Sequence, residues 1–76
     1  MTNGYGLTER ELEILQLVAD GVTYDKGIAT RLRISDEVVH SHLTNIYSKM
    51  ELRHIPGYHS RIKAVTRALI EGLIYE

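Results

Sequence analysis

Ile34-Ser-Asp-Glu-Val-Val-His-Ser-His-Leu-Thr-Asn-Ile-Tyr-Ser-Lys-Met50 is the stretch around which the rest of this chain is organised. Ser35 has the side chain of an N-cap, and Asp36 and Glu37 follow where the positive end of a helix dipole favours carboxylates. A helix is therefore expected from Asp36 to about Met50. Val39, Leu43, Ile46 and Met50 recur at helical spacing and form one apolar stripe, the side expected to be buried. The opposite side carries Glu37, Ser41, Thr44 and Ser48, with His40 and Asn45 on its flanks and Lys49 nearer the core edge. Solvated helix faces usually carry Lys, Glu and Arg. A face of short hydrogen-bonding side chains instead lets a backbone approach another surface closely.

Around this stretch the chain has 76 residues, a net charge of -1 and no Cys, Trp or Phe. That length supports one small domain with a limited core, held by helix packing alone. Without cysteine there is no disulfide framework, iron-sulfur cluster or thiol nucleophile. No stretch has the apolar length of a membrane span and none resembles a signal peptide, so a cytoplasmic location is expected. The near-neutral total conceals a division. Residues 1–25 hold Arg10 against Glu9, Glu11, Glu13, Asp20 and Asp25, whereas residues 26–67 hold eight Lys and Arg against Asp36, Glu37 and Glu51. The basic residues thus cluster about the central helix, where a local field attracts phosphate whatever the total charge.

Residues 1–6, with Gly4 and Gly6, read as a flexible lead-in, and residues 7–76 as one domain. Thr8-Glu-Arg-Glu11 is a capping box that starts a first helix at Glu9, with Leu7 and Leu12 as its staple. Leu12, Leu15, Val18 and Ala19 give its apolar side, and Gly21 supplies the left-handed residue that ends it. Asp25 is expected to cap a second helix, from about Lys26 to Leu32, with Ile28, Ala29 and Leu32 inward; Gly27 weakens it by about 1 kcal/mol relative to Ala. A short helix, a tight turn and a longer helix with a polar outer face form a helix-turn-helix, shared by DNA-binding domains and by purely structural hairpins. A fourth helix is expected from a Ser60 cap to about Glu71, with Ile62, Val65, Ala68 and Leu69 inward. Ile70, Leu73, Ile74 and Tyr75 exceed what so small a core needs, so they either cover a partner or fold back on the first helix.

Leu7-Thr-Glu-Arg-Glu11, Leu15, Ala19, Gly21, Ile28-Ala29, Leu32, Ile34-Ser35, Val39, His42, Asn45-Ile46-Tyr47, Lys49, Arg61, Ala64-Val65 and the run from Ala68 to Ile74 resemble the LuxR-type (GerE/FixJ) DNA-binding domain. The resemblance covers nearly the whole chain. It implies an all-α, four-helix fold, a third helix that enters the major groove of duplex DNA, dimerisation through helix 4 and a role in transcription regulation. On that reading His40, Ser41, Thr44, Asn45 and Ser48 are the candidate base-reading residues. Lys26, Ser35, His42, Lys49 and Arg53 are the candidate phosphate ligands, with His42 alternatively a packing residue. Val65, Leu69, Ile70 and Leu73 are the candidate dimer contacts. The expected partners are double-stranded DNA and a second copy of the chain, with a larger transcriptional regulator or RNA polymerase as further candidates; no small-molecule substrate is expected.

The departures from the family pattern define an alternative. Val38 stands where the family usually has a hydroxyl and His40 where it has Lys, and both changes weaken nonspecific attraction to DNA. The Gly21–Ile28 connection is a residue longer than the pattern, and an insert centred on His54-Ile-Pro-Gly-Tyr-His59 precedes the last helix, with Pro56-Gly57 suited to a tight turn. Such a domain could instead be a protein-interaction module that pairs through helix 4 with a LuxR-type regulator and antagonises it. An enzyme is not expected. His40 and His42 project in opposite directions from one helix and cannot share a metal, His54 and His59 have no companion ligands, and no nucleophile triad or glycine-rich phosphate loop can be placed. No cofactor is expected either.

Overall fold

The computed structural model describes residues 4–53 and 57–75. They form α1 (Glu9–Ala19), α2 (Asp25–Leu32), α3 (Asp36–Lys49) and α4 (Gly57–Ile70), with no strand among the described residues. The expected all-α, four-helix architecture is what the chain adopts. Local chemistry accounts for the starts of α1 and α3. The Glu11 amide donates to Thr8 Oγ1 at 3.1 Å and the Thr8 amide to Glu11 Oε1 at 2.8 Å, which closes the capping box. At α3 the Val38 amide donates to Ser35 Oγ at 3.2 Å.

The helix ends share one device, a left-handed residue followed by an amide that reaches back to the last turn. Gly21 (φ 102°) and Gly72 (φ 72°) end α1 and α4, with Val22 N donating to Leu17 O and Leu73 N to Ala68 O. Arg33 (φ 58°) and Glu51 (φ 59°) do the same for α2 and α3 without the conformational freedom of glycine, and Ile34 N and Leu52 N donate to Ala29 O and Tyr47 O. Arg33 thereby makes the tight turn between α2 and α3. Gly27 has a packing reason: a Cβ there would lie 3.1 Å from Val22 Cγ1, so the missing side chain admits the α1–α2 loop against α2.

The core joins Ile14, Leu15 and Val18 of α1, Ile28 and Ala29 of α2, Val39, Leu43 and Ile46 of α3, and Ala64 and Ala68 of α4, closed by Leu7, Met50, Leu52 and Ile74. The expected α3 stripe is buried throughout, at 0–2% exposure for Val39, Leu43, Ile46 and Met50. Each such aliphatic side chain contributes roughly 1.5–3 kcal/mol on burial. Tyr5, at the end of the expected lead-in, packs against this core, and its hydroxyl donates to Glu71.

Three expectations need correction. Asp25 does not cap α2: Tyr24 is the N-cap residue, without a side-chain cap bond, and the Asp25 carboxylate is held by Arg61 instead. Ser60 does not cap α4, which already begins at Gly57; Ser60 is buried within the helix and donates to Leu52 O at 3.1 Å. Part of the insert, Gly57 to His59, thus lengthens α4, while His54, Ile55 and Pro56 lie outside the described residues. Finally, α4 faces inward with its two alanines rather than with Ile62, which is 46% exposed. Small side chains on the buried side let α4 approach its neighbours closely.

Candidate nucleic-acid interface

With its apolar stripe inward and its N-terminus capped, α3 has one orientation available, and its outer side is laid open. His40, Ser41, Thr44, Asn45 and Ser48 are all exposed, as are Glu37 and Val38 before them. His42 is half-buried on the flank, between the roles of packing residue and surface ligand. Ser35 is exposed; its oxygen accepts the Val38 amide, and its hydroxyl proton can still be donated outward. The helix therefore offers hydroxyl, amide and imidazole groups along one solvent-facing strip, with the carboxylates of Asp36 and Glu37 at its start.

The cations divide into two sets. Lys26, Arg31, Arg33, Arg53 and Lys63 are exposed. Others are engaged within the fold. Lys49 Nζ lies 2.8 Å from Glu11 Oε1 and 3.1 Å from Gly6 O, so the ammonium expected to hold phosphate ties α3 to the start of α1. Arg67 Nη1 donates to Met50 O at 3.0 Å and fastens α4 to the end of α3. Glu11 itself is 3% exposed. Burial pushes its pKa up, but the hydrogen bonds from Lys49 and from the Thr8 amide together outweigh that and hold it below the ordinary carboxylate value.

Sequence reasoning missed the most connected of these groups. The guanidinium of Arg61, on α4, donates through Nη2 to Asp25 Oδ1 at 2.7 Å, through Nη1 to Thr23 O, and through Nε to Tyr47 Oη at 3.5 Å. It joins α4 to the α1–α2 loop, to the first residue of α2 and to α3. Burial disfavours its charge, yet the bonds to Tyr47 and Asp25 outweigh this and raise its pKa. The sequence signal was slight, since Asp25 had a local reading as a helix cap and only Arg61 was left without a local task.

The candidate dimer residues are treated unequally by the fold. Ile70 is 80% exposed, whereas Val65, Leu69 and Leu73 are partly buried against the core. Ile74 is buried, and Gln16 of α1 holds the backbone of Tyr75 through both halves of its side-chain amide, Tyr75 N to Gln16 Oε1 being 2.9 Å. The C-terminal segment therefore folds back on α1, and among the described residues the exposed large apolar side chains of α4 are Ile62 and Ile70. Among the described residues no three His, Cys, Asp or Glu converge as a metal site, and no helix is long and apolar enough to cross a membrane.

A helix-turn-helix whose second helix turns a strip of short polar side chains outward is the arrangement built here, and the model of the "Bacterial regulatory proteins, luxR family" matches residues 5–68. The chain belongs to the luxR family of bacterial regulatory proteins. Over 67 residues this luxR-family domain is 43% identical to the uncharacterized response regulatory protein YgeK of Escherichia coli, spanning 88% of this chain and 41% of that protein. It is 40% identical over 68 residues to the transcriptional regulatory protein YdfI of Bacillus subtilis, spanning 90% of this chain and 29% of that one. With the transcriptional regulatory protein DesR of the same organism it shares 39% over 66 residues, spanning 87% and 30%. The chain therefore covers less than half the length of the curated relatives it matches.

Proposed function

We propose that this chain is a sequence-specific, double-stranded-DNA-binding transcriptional regulator that lays α3 in the major groove. The observation that carries the reading is the outward strip of α3, in which every residue expected to read bases is solvent-exposed while the opposite stripe is buried. In this reading His40, Ser41 and Thr44 reach base edges first, and Asn45 and Ser48 next. Lys26, Ser35 and Arg53 hold phosphate, His42 sits at the margin, and Lys49 acts inside the fold. None of the base-reading residues is Arg or Lys, so the bidentate guanine contact is absent, and specificity rests on weaker contacts, water and DNA shape.

Pairing of two copies through α4 completes the proposal. Ile62 and Ile70, about two turns apart on one side of α4, are the exposed apolar residues that support it. The same residues support the second reading, in which α4 pairs with a larger luxR-family regulator and antagonises it. Selection of bound sequences from a randomised duplex pool, followed by affinity across a salt series, separates the two. An enriched motif with two-fold symmetry and a salt slope of several phosphates is expected. Absence of enrichment would instead favour the interaction module.

A further inference from the structure

The start of α2 lacks the device that fixes the starts of α1 and α3. Its N-cap residue, Tyr24, makes no side-chain cap bond. Something else must hold this end of the helix-turn-helix in place. The group that does so comes from α4: Arg61, whose side chain is 17% exposed, grips Thr23 O and Asp25 Oδ1, the latter at 2.7 Å, while its Nε reaches Tyr47 Oη on α3 at 3.5 Å. An arginine fork presents several donors in one rigid plane, so it can fix the direction of its acceptors relative to one another, whereas a lysine ammonium is a point charge on a flexible stem and imposes no such geometry.

We infer that Arg61 is a specificity-determining positioning residue, which sets the N-terminal end of α2, with Lys26, in register with the reading face of α3. It touches no DNA. It acts through Asp25 and Thr23 on one side and Tyr47 on the other, and it makes α4 part of the reading unit. The inference rests on the DNA-binding proposal above. Its physical basis is that phosphate contacts from α2 and base contacts from α3 must be satisfied together, so a loose α2 terminus costs more on a matched duplex than on an arbitrary one.

The test uses two probes of equal length, a duplex selected by the wild-type chain from a randomised pool and a duplex of random sequence. Their affinity ratio is measured at a temperature where thermal melts show every variant folded. A substitution that only unfolds part of the population lowers both affinities equally and leaves the ratio unchanged. Arg61→Met is expected to lower the ratio about tenfold, comparable to losing one matched base pair. Arg61→Lys recovers only part of it, because the charge returns without the fork. Should Arg61→Met fail to fold, Asp25→Asn removes the charge facing Arg61 and Tyr47→Phe removes the hydroxyl that accepts from it, each while keeping side-chain shape, and each is expected to lower the ratio by a smaller factor. The double variant Arg61→Met with Asp25→Asn is expected to be no worse than Arg61→Met alone, since both act on the same interaction. An unchanged ratio in folded Arg61→Met, or in both Asp25→Asn and Tyr47→Phe, overturns the positioning role and leaves DNA binding standing. Failure of the wild-type chain to select any duplex overturns the DNA-binding reading, and this inference falls with it.

Discussion

Glu11 and Lys49 are 38 positions apart in sequence and 2.8 Å apart in space, and the Glu11 oxygen that accepts Lys49 is the same Oε1 that accepts the Thr8 amide. One carboxylate thus closes the cap of α1 and anchors the far end of α3. A local helix-start motif has become a tertiary joint, and α3 is held at its last turn by the first turn of α1.

Lys49→Met is therefore expected to act on stability more than on DNA attraction. Leaving the buried Glu11 without its cation costs about 1–3 kcal/mol of unfolding free energy, read from urea titration. The salt slope of DNA binding should stay at the wild-type value, whereas Lys26→Met should reduce it by about 0.9, one phosphate's worth. A reduced slope in Lys49→Met would return that residue to the phosphate ligands.

The same joint sets an acid limit. Because the folded-state pKa of Glu11 is depressed, the stability linked to it is present above the ordinary carboxylate value and is lost as pH falls through the lower, folded value. Glu11→Gln should show a lower plateau of stability at neutral pH and a shallower decline toward acid, measured as unfolding free energy from pH 7 down to about pH 3. Parallel curves for the two proteins would show that the pair carries no such linkage.

Thr44 stands in the middle of the outward strip with its side chain in solvent. Thr44→Glu should change stability by no more than about 0.5 kcal/mol, yet weaken binding of a selected duplex by at least about a hundredfold through repulsion between carboxylate and phosphate. Electrophoretic mobility shift together with a thermal melt reads both. Undiminished binding would remove the centre of α3 from the groove.

On α4 the fold separates residues that sequence spacing had grouped. Ile70→Glu alters an exposed side chain and should leave the melt nearly unchanged, while shifting sedimentation from dimer toward monomer and weakening binding to a two-fold site. Ile74→Ala alters a buried one and should cost about 2–5 kcal/mol of stability. Substitution at Leu69 or Leu73 would mix the two effects, since both are partly buried against the core. Ile70→Glu with unaltered self-association would exclude this face of α4 from pairing.

Glu51 occupies left-handed backbone at φ 59°. Relief of that conformation by glycine outweighs the added freedom of the unfolded chain, so Glu51→Gly should gain up to about 1 kcal/mol in chemical denaturation. A loss would mean that the Glu51 side chain contributes more than its backbone costs.

Taken by itself, the sequence determined what depends on neighbours a few residues apart. Thr8 with Glu11, Ser35 before Asp36, the helical recurrence of Val39, Leu43, Ile46 and Met50, and Gly21 after α1 act within one or two turns, so the helices, the buried stripe of α3 and its outward polar strip were legible before any folding was known. Only the tertiary structure decided the tasks of the long polar side chains and of α4. Lys49 looks like a solvated cation until α1 brings Glu11 to it, Asp25 looks like a cap until α4 brings Arg61, and Ile62 looks buried until the fold turns Ala64 and Ala68 inward in its place. The reason is physical. A cap or an apolar stripe is selected by the helix's own geometry, whereas a charged group is claimed by whichever opposite charge packing delivers to it, and that partner can lie anywhere along the chain.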